Sequence, residues 1–216
     1  MFLGMNTVIP LRPLVAIHGT VQVFNNATQS WLLRDAIRWR LCAWFTVGAI
    51  CGATATTLFL LDHIPESIPL LLLAGMALYT LLRPSSLPQL CLSDKNHLWL
   101  GLATGSVGIL AGAVDPLLGA FFLREDLSKE EIVANKSTLQ LVTHLTKFPA
   151  YLYLGFAFHQ HLTLIAVFAL SAMAGARFGV YLLERLDTRY FFYLMKVALW
   201  AVTLRVLYQL VDSPAF

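Results

Sequence analysis

Side chains that could bind an anion recur at helical spacing in two otherwise apolar stretches. The first contains VAIHGTVQVFNN, residues 15–26, and five polar side chains follow at i, i+4, i+7, i+8 and i+11: His18, Gln22, Asn25, Asn26 and Gln29. The second contains VANKSTLQLVTH, residues 133–144, and repeats that spacing with a second set: Lys136, Gln140, Thr143, His144 and Lys147. Each set lies along one side of a helix. We therefore predict a first and a second polar face.

Both polar faces must contact protein or water, because a polar group without a partner in hydrocarbon is costly. They carry lysines, histidines and amides but few facing carboxylates, which favours an anionic ligand. Lys136 would attract the anion, and Gln22 and Gln140 would donate hydrogen bonds to it. His18 and His144 would assist or carry protons, so proton coupling is a further hypothesis. We predict these substrate-binding residues: His18, Gln22, Asn26, Asp115, Lys136, Gln140, His144 and Lys147.

Some of these polar side chains have a structural alternative. Gln, Asn, Thr and His often form hydrogen bonds between packed membrane helices, and for Thr20, Thr138 and Thr143 that role is favoured. For Gln22, Gln140 and Lys136 ligand binding is about as well supported as helix packing, or slightly better. The lysine at position 147 could also extend its charged end towards the membrane surface.

The segment before the second polar face adds an acidic residue and a glycine series. Asp115 admits three interpretations: a proton or cation site, a partner for Lys136 or Lys147, or a helix cap. The cap is favoured because Asp commonly precedes a helix that begins with Pro. The glycines allow either backbone N–H groups to face an anion or close packing of helices: Gly101, Gly105, Gly108, Gly112 and Gly119.

The composition predicts an all-α polytopic membrane protein. Of 216 residues, 58% are hydrophobic and only 12% are charged, and the mean hydropathy is +0.70, whereas soluble domains are about 25% charged. A helix needs about 20 mainly apolar residues to cross a bilayer. Seven candidate windows are present, two of them containing the polar faces: 8–33, 41–61, 68–82, 98–123, 132–158, 163–183 and 190–211.

The polar faces belong to an internal repeat. At an offset of 118, four residues recur as Val133, Ala134, Thr138 and Gln140; at an offset of 123, three more recur as Ala172, Gly175 and Ala176. Such repeats are typical of secondary transporters, whose binding site lies between the repeats; chance similarity of apolar segments is the alternative. We predict a first repeat at 1–83, a connecting loop at 84–96 and a second repeat at 97–216, together one membrane domain. The first repeat is expected to lack its N-terminal segment.

Charge distribution favours a re-entrant segment at 97–123. If every window crosses the membrane, ten basic residues divide five against five between the two sides. If 97–123 enters and leaves on one side, turning near Asp115–Pro116, only Arg12 opposes the other nine, as the positive-inside rule prefers. The two repeats then become inverted. The alternative is a complete transmembrane helix kinked at Pro116.

Other functional classes find little support in the sequence. A net charge of +3 from scattered residues does not indicate nucleic-acid binding, and the cysteines form no CxxC pair. We expect no cofactor, metal site or cleaved signal peptide. Two histidine-containing pairs, His159 with His161 and Asp62 with His63, lack further ligands or a nucleophile, so an enzyme is disfavoured.

Residues 108–152, GILAGAVDPLLGAFFLREDLSKEEIVANKSTLQLVTHLTKFPAYL, resemble the TauE/SafE sulfite exporter family, also called the toluene-sulfonate uptake permease family. The resemblance lies in a glycine-rich hairpin, a charged loop and a helix of the form VA-x-K-x-x-x-Q-x-x-x-H-x-x-K, and it continues in VAIHGTVQVFNN and RDAIRWR. Two features depart from the family pattern. The first glycine-rich hairpin is absent, and in the second the usual glycine cluster is replaced by residues 113–116, Ala-Val-Asp-Pro.

The resemblance implies a multi-pass inner-membrane permease that moves small sulfur-containing or organic anions, such as sulfite, sulfonates or thiosulfate, by secondary transport. Its family positions fall on six residues here: His18, Gln22, Asn26, Lys136, Gln140 and His144. The expected partners are a small anion and the lipid bilayer, with a homo-oligomer left open. A competing hypothesis is a non-transporting membrane scaffold or a truncated remnant of such a permease.

Overall fold

All regular structure in the described part of the chain is helical. The computed structural model describes residues 11–60, 68, 71, 75, 78–79, 82, 90–111, 114–122, 124 and 126–212. Its helices are α1 (Leu11–Leu32), α2 (Trp39–Ala55), α3 (His97–Ala111), α4 (Asp115–Phe122), α5 (Lys129–Tyr153), α6 (Leu162–Arg185) and α7 (Thr188–Asp212). A π-helical turn, Thr56–Leu60, extends α2, and 3-10 turns lie at Arg34–Ala36, Asp94–Asn96 and Phe158–His161. The predicted all-α class is confirmed.

Helix lengths and exposed side chains suit a bilayer. Within the described residues, two helices are both long and apolar enough to cross a membrane, Trp39–Phe59 and Phe158–Arg185. The second exposes large apolar side chains such as Leu170 and Phe178, which are 68% and 62% exposed; contiguous apolar surface of this kind suits lipid rather than water. Only six of the fifteen residues of the predicted window at 68–82 are among the described residues, and Asp62 and His63 lie outside them.

The repeat predicted from the sequence is compatible with the helix order, but its symmetry stays a prediction. The offset that pairs the two polar faces pairs α1 with α5, and the second offset pairs α2 with α6. Helices α1 and α5 pack against each other, while α2 packs most extensively against α3.

Glycines allow α2 and α3 to approach closely. A Cβ atom on Gly101 would lie 2.1 Å from the backbone oxygen of Phe45, and one on Gly105 would lie 2.3 Å from that of Ala49. Gly108 is similarly confined, because a Cβ there would lie 2.8 Å from an α5 side chain. For these three glycines the structure therefore supports the packing alternative. Of the other two in the series, position 112 lies outside the described residues, and position 119 has open space where a Cβ would stand.

Helices α3 and α4 form a hairpin. His97 begins α3 and Phe122 ends α4, yet their ring centroids are only 6.0 Å apart. A continuous helix from 97 to 122 would separate these residues by roughly 1.5 Å per residue, so a single helix kinked at Pro116 is wrong. Helix α4 therefore runs back towards the start of α3, and the boundary between the two helices, Ala111 to Asp115, lies near the predicted turn. Re-entry with respect to a membrane stays a prediction.

A capping box starts α5 after a short charged loop. The Ser128 hydroxyl accepts a hydrogen bond from the Glu131 backbone N–H at 3.1 Å, and the Glu131 carboxylate accepts one from the Ser128 N–H at 3.0 Å. In the loop, the Arg124 guanidinium donates to the Asp126 carboxylate at 2.8 Å, and this hydrogen bond lowers the pKa of Asp126. The second polar face thus begins from a fixed helix end.

Replacing Ser128 by Ala should lower stability by about 1 kcal/mol, because the Glu131 N–H in the first turn loses the hydroxyl that accepts its hydrogen bond. In detergent, the thermal unfolding midpoint should fall by about 2–4 °C. Ser93→Ala is a matched control, since Ser93 precedes a 3-10 turn without making a side-chain cap. Equal midpoints for the two variants would show that the capping box contributes nothing.

Candidate functional site

Small hydroxyl side chains join α1 to α5. The Ser30 hydroxyl lies 3.2 Å from that of Ser137 and 3.1 Å from that of Thr138, which also lies 2.8 Å from the Ala134 carbonyl oxygen. The predicted interhelical role therefore holds for Thr138. It is wrong for Thr20 and Thr143, whose side-chain hydrogen bonds within the described residues are to the backbone carbonyl four residues earlier in their own helices.

A cavity of about 450 Å³ lies beside this contact, bounded by α1, Asp115, α5, α6 and α7. One wall is polar and comes from α1, the start of α4 and α5: Gln22, Asn25, Asn26, Gln29, Asp115, Lys136, Ser137 and Gln140. The rest of the lining is mainly apolar and forms the apolar wall: Ile132, Val133, Gly179, Val180, Leu182, Leu183, Leu186, Phe191, Leu194 and Met195. The cavity can therefore receive a molecule that has a polar and an apolar end.

Lys136 and Asp115 form an ion pair in the polar wall. The Lys136 Nζ lies 3.1 Å from the Asp115 Oδ1, and Gln140 is hydrogen-bonded to the same carboxylate. Asp115 is the first residue of α4, so the capping position is that of the preceding residue, Val114. The Val114 carbonyl accepts a hydrogen bond from the Leu118 N–H at 3.1 Å. The favoured capping interpretation is therefore wrong. The carboxylate instead serves a charged partner from another helix, which was one of the alternatives.

Exposure within the pair is unequal. The Asp115 side chain is 58% exposed, whereas that of Lys136 is 13% exposed. A ligand entering the cavity thus meets an ammonium group that is already neutralised and partly covered. An anion can engage Lys136 fully only if it shares or displaces the Asp115 carboxylate.

Amide side chains continue the polar wall along α1. Asn25 Nδ2 donates a hydrogen bond to the side-chain Oε1 of Gln22 at 3.0 Å and lies 3.5 Å from the side-chain Oδ1 of Asn26. Asn26 is 2% exposed, and its Nδ2 has no hydrogen-bond partner in the described part of the chain. A buried donor without a partner is costly. This amide is consequently suited to donate to an oxygen atom of a ligand.

The remaining predicted site residues lie outside the cavity. His18, His144 and Lys147 are each at most 5% exposed and contact one another. The His144 Nδ1 is 3.1 Å from the Lys147 Nζ, and the His18 and His144 ring centroids are 5.8 Å apart. The structure thus brings five predicted residues to the cavity and gathers the other three in a separate buried cluster.

Three polar residues of the cavity, Asn25, Gln29 and Ser137, and the whole apolar wall were not among the predicted site residues. Asn25 and Gln29 belong to the first polar face, so their spacing already signalled them. The apolar wall gave no such signal, because a leucine or phenylalanine that lines a cavity has the same sequence pattern as one that faces lipid. Among the described residues, no group of three His, Cys, Asp or Glu side chains could hold a metal ion.

Comparison with known proteins assigns the chain to a family. No curated protein and no solved structure matches it. The family model described as Sulfite exporter TauE/SafE matches residues 1–206 of the 216. That match contains both polar faces, the α3–α4 hairpin and every predicted site residue. The chain therefore belongs to the TauE/SafE sulfite exporter family.

Proposed function

We propose that this chain is a permease whose cavity binds an organic sulfonate, or a similar organic oxyanion, for secondary transport across the inner membrane. The observation that carries the proposal is the division of the cavity lining into a polar wall with one lysine and an apolar wall. Membership of a sulfite exporter family supports an anionic substrate and a place in the bilayer.

The polar wall provides hydrogen-bond donors around a single lysine. Lys136 supplies a positive charge, and the buried Asn26 amide supplies a donor that lacks a protein partner in the described residues. Gln22 and Gln140 add neutral amides in the same wall. A charged hydrogen bond is stronger than a neutral one, while the amides add contacts without adding charge. Such a site can hold a sulfonate and still release it.

The size and the apolar wall favour an organic substrate over sulfite itself. The cavity volume of about 450 Å³ falls within the range of about 300–1,000 Å³ typical of sites for small organic molecules. An inorganic oxyanion is polar on every side and would leave the wall around Val180, Leu183 and Phe191 without a favourable contact. An organic tail would bury apolar surface there.

The ion pair gives the site a simple exchange mechanism. Without substrate, Asp115 neutralises Lys136, so the cavity does not hold an unpaired charge in a low-dielectric setting. A sulfonate replaces the carboxylate at Lys136, and Asp115 returns when the sulfonate leaves. The α3–α4 hairpin places Asp115 at the cavity, consistent with a re-entrant segment that lines a transport pathway.

A series of straight-chain sulfonates tests this proposal. The full chain, reconstituted in liposomes, should catalyse exchange of labelled sulfoacetate or taurine, and unlabelled methane-, ethane-, propane- and butanesulfonate should compete with it. Each added methylene contributes about 0.8 kcal/mol when buried, so inhibition should strengthen by up to about fourfold per methylene. Sulfite and thiosulfate should compete less well than butanesulfonate.

Empty liposomes and liposomes with heat-denatured protein provide the background flux. Equal inhibition along the series would show that the apolar wall does not contact the substrate. A protein that is folded but exchanges none of the anions would refute the permease and favour the membrane-scaffold hypothesis.

A further inference from the structure

Three buried ionisable side chains lie beside the cavity without lining it. His18 comes from α1, and His144 and Lys147 come from α5, with the lysine only 1% exposed. A Cβ on Gly19 would lie 3.0 Å from the Lys147 Cδ, and one on Gly108 would lie 3.6 Å from its Cε. Small residues on two helices thus leave room for the lysine side chain. The Lys147 side chain lies in the protein interior and does not extend to the surface.

The short distance between His144 and Lys147 limits how many protons the pair can hold. With 3.1 Å between Nδ1 and Nζ, a hydrogen bond needs one nitrogen to donate and the other to accept. An ammonium beside a neutral imidazole satisfies this, as does an imidazolium beside a neutral amine. Two positive charges at that distance in a buried site would repel strongly. The pair therefore carries at most one positive charge, and its two coupled bases share the single proton that confers that charge.

Two features connect this cluster to the cavity. Gln22 lines the cavity, and its Nε2 lies 3.2 Å from the His18 Nε2. The charge of Asp115, which pairs with Lys136 in the cavity wall, also acts on both His18 and Lys147. A change of charge in the cavity consequently changes the electrostatic potential at the buried cluster.

We propose that the His144–Lys147 pair, assisted by His18, binds the proton that accompanies the anion, at a site separate from the anion cavity. This inference rests on the proposed function. A sulfonate in the cavity adds a negative charge near the cluster and so stabilises its protonated form. Anion binding should therefore take up a proton, and by linkage a lower pH should tighten anion binding.

The groups that act on this cluster come from several helices. His18 belongs to α1, Asp115 to α4, and the pair itself to α5; Lys136 of α5 pairs with Asp115. The charged residues of α6, which packs against α1, are all exposed: Arg177, Glu184 and Arg185. In the described part of α3, His97 is the only titratable residue, and it lies at the far end of that helix beside Phe122.

Proton uptake on anion binding tests the inference directly. Purified full chain in detergent should be titrated with butanesulfonate, which does not itself titrate near neutral pH, in weak buffer with a pH-indicator dye. The wild-type protein should take up as much as one proton per bound anion, and its affinity should rise by up to tenfold per unit fall in pH. In Lys147→Met and His144→Gln proteins, proton uptake should be lost and affinity should become nearly independent of pH.

Lys95→Met is the matched control, because Lys95 is exposed and lies outside the cluster, and it should retain the wild-type proton uptake. The two cluster variants remove different members of the pair, so one that fails to fold leaves the other to decide. Anion binding without proton uptake in the wild type, or unchanged uptake in a folded cluster variant, would overturn the inference while leaving the permease intact. No anion binding by the wild type would instead overturn the proposed function and, with it, this inference.

Discussion

Lys136→Met should reduce sulfonate exchange by about a hundredfold. The lysine is the one ammonium group in the described lining of the cavity, and a hydrogen bond to a charged group contributes about 1.5–3 kcal/mol, which corresponds to a factor of roughly 10–150 in affinity. Its removal also leaves the Asp115 carboxylate without its counter-ion, so the cavity would repel an anion. Initial rates in proteoliposomes measure the effect.

Two further variants separate the possible reasons for that loss. Lys136→Arg keeps the charge and should retain substantial exchange. The double variant Lys136→Met with Asp115→Asn removes both charges, so it removes the repulsion but not the need for a cation. If the double variant exchanges sulfonate as fast as the wild type, Lys136 serves only to neutralise Asp115 and the assignment of an anion site is wrong. Asp115→Asn alone should bind sulfonate more tightly, because Lys136 no longer has a competing carboxylate.

Gly52→Ala should destabilise the folded chain by about 3 kcal/mol, the upper part of the usual range for overpacking a close contact. A Cβ at this position would lie 2.2 Å from the backbone oxygen of Leu102. Since backbone cannot rotate away as a flexible side chain can, α2 and α3 would have to separate. The fraction of monodisperse protein after detergent extraction and the thermal midpoint should both fall.

Gly175→Ala supplies the matched control, because Gly175 is the counterpart of Gly52 at the offset of 123 and has no atom within 4 Å of an added Cβ. Alanine is also the better helix former, so Gly175→Ala should be neutral or slightly stabilising. A Gly52→Ala protein with the wild-type midpoint would show that the close approach of α2 and α3 is not required.

The properties that could be predicted from the amino-acid sequence are those that depend on composition and local period. An excess of apolar residues predicts helices in a membrane, because only a helix or a closed barrel satisfies its backbone there. A repeat near 3.6 residues places polar side chains on one side of a helix whatever surrounds it. Those rules gave the all-α class, both polar faces and the five predicted residues that line the cavity, and the motif resemblance gave the family.

The role of Asp115 required the tertiary structure. Its local sequence, Asp followed by Pro at the start of a helix, favours a cap. The ion pair with Lys136 depends instead on the α3–α4 hairpin, which returns the chain to α5. A charged partner outweighs a cap here because a buried ammonium group needs compensation more than one N–H group does.

The division of the polar faces between the cavity and the buried cluster depends on helix packing and could not be predicted from the sequence. The spacing that relates Lys136 to Lys147 is regular, yet one lines a cavity beside apolar residues of α6 and α7 while the other lies in the interior against His144. That difference arises from where α1 crosses α5, and from the space left at Gly19 and Gly108. A helical period fixes the direction of a side chain about its own axis, but what it meets in that direction is set by the packing of other helices.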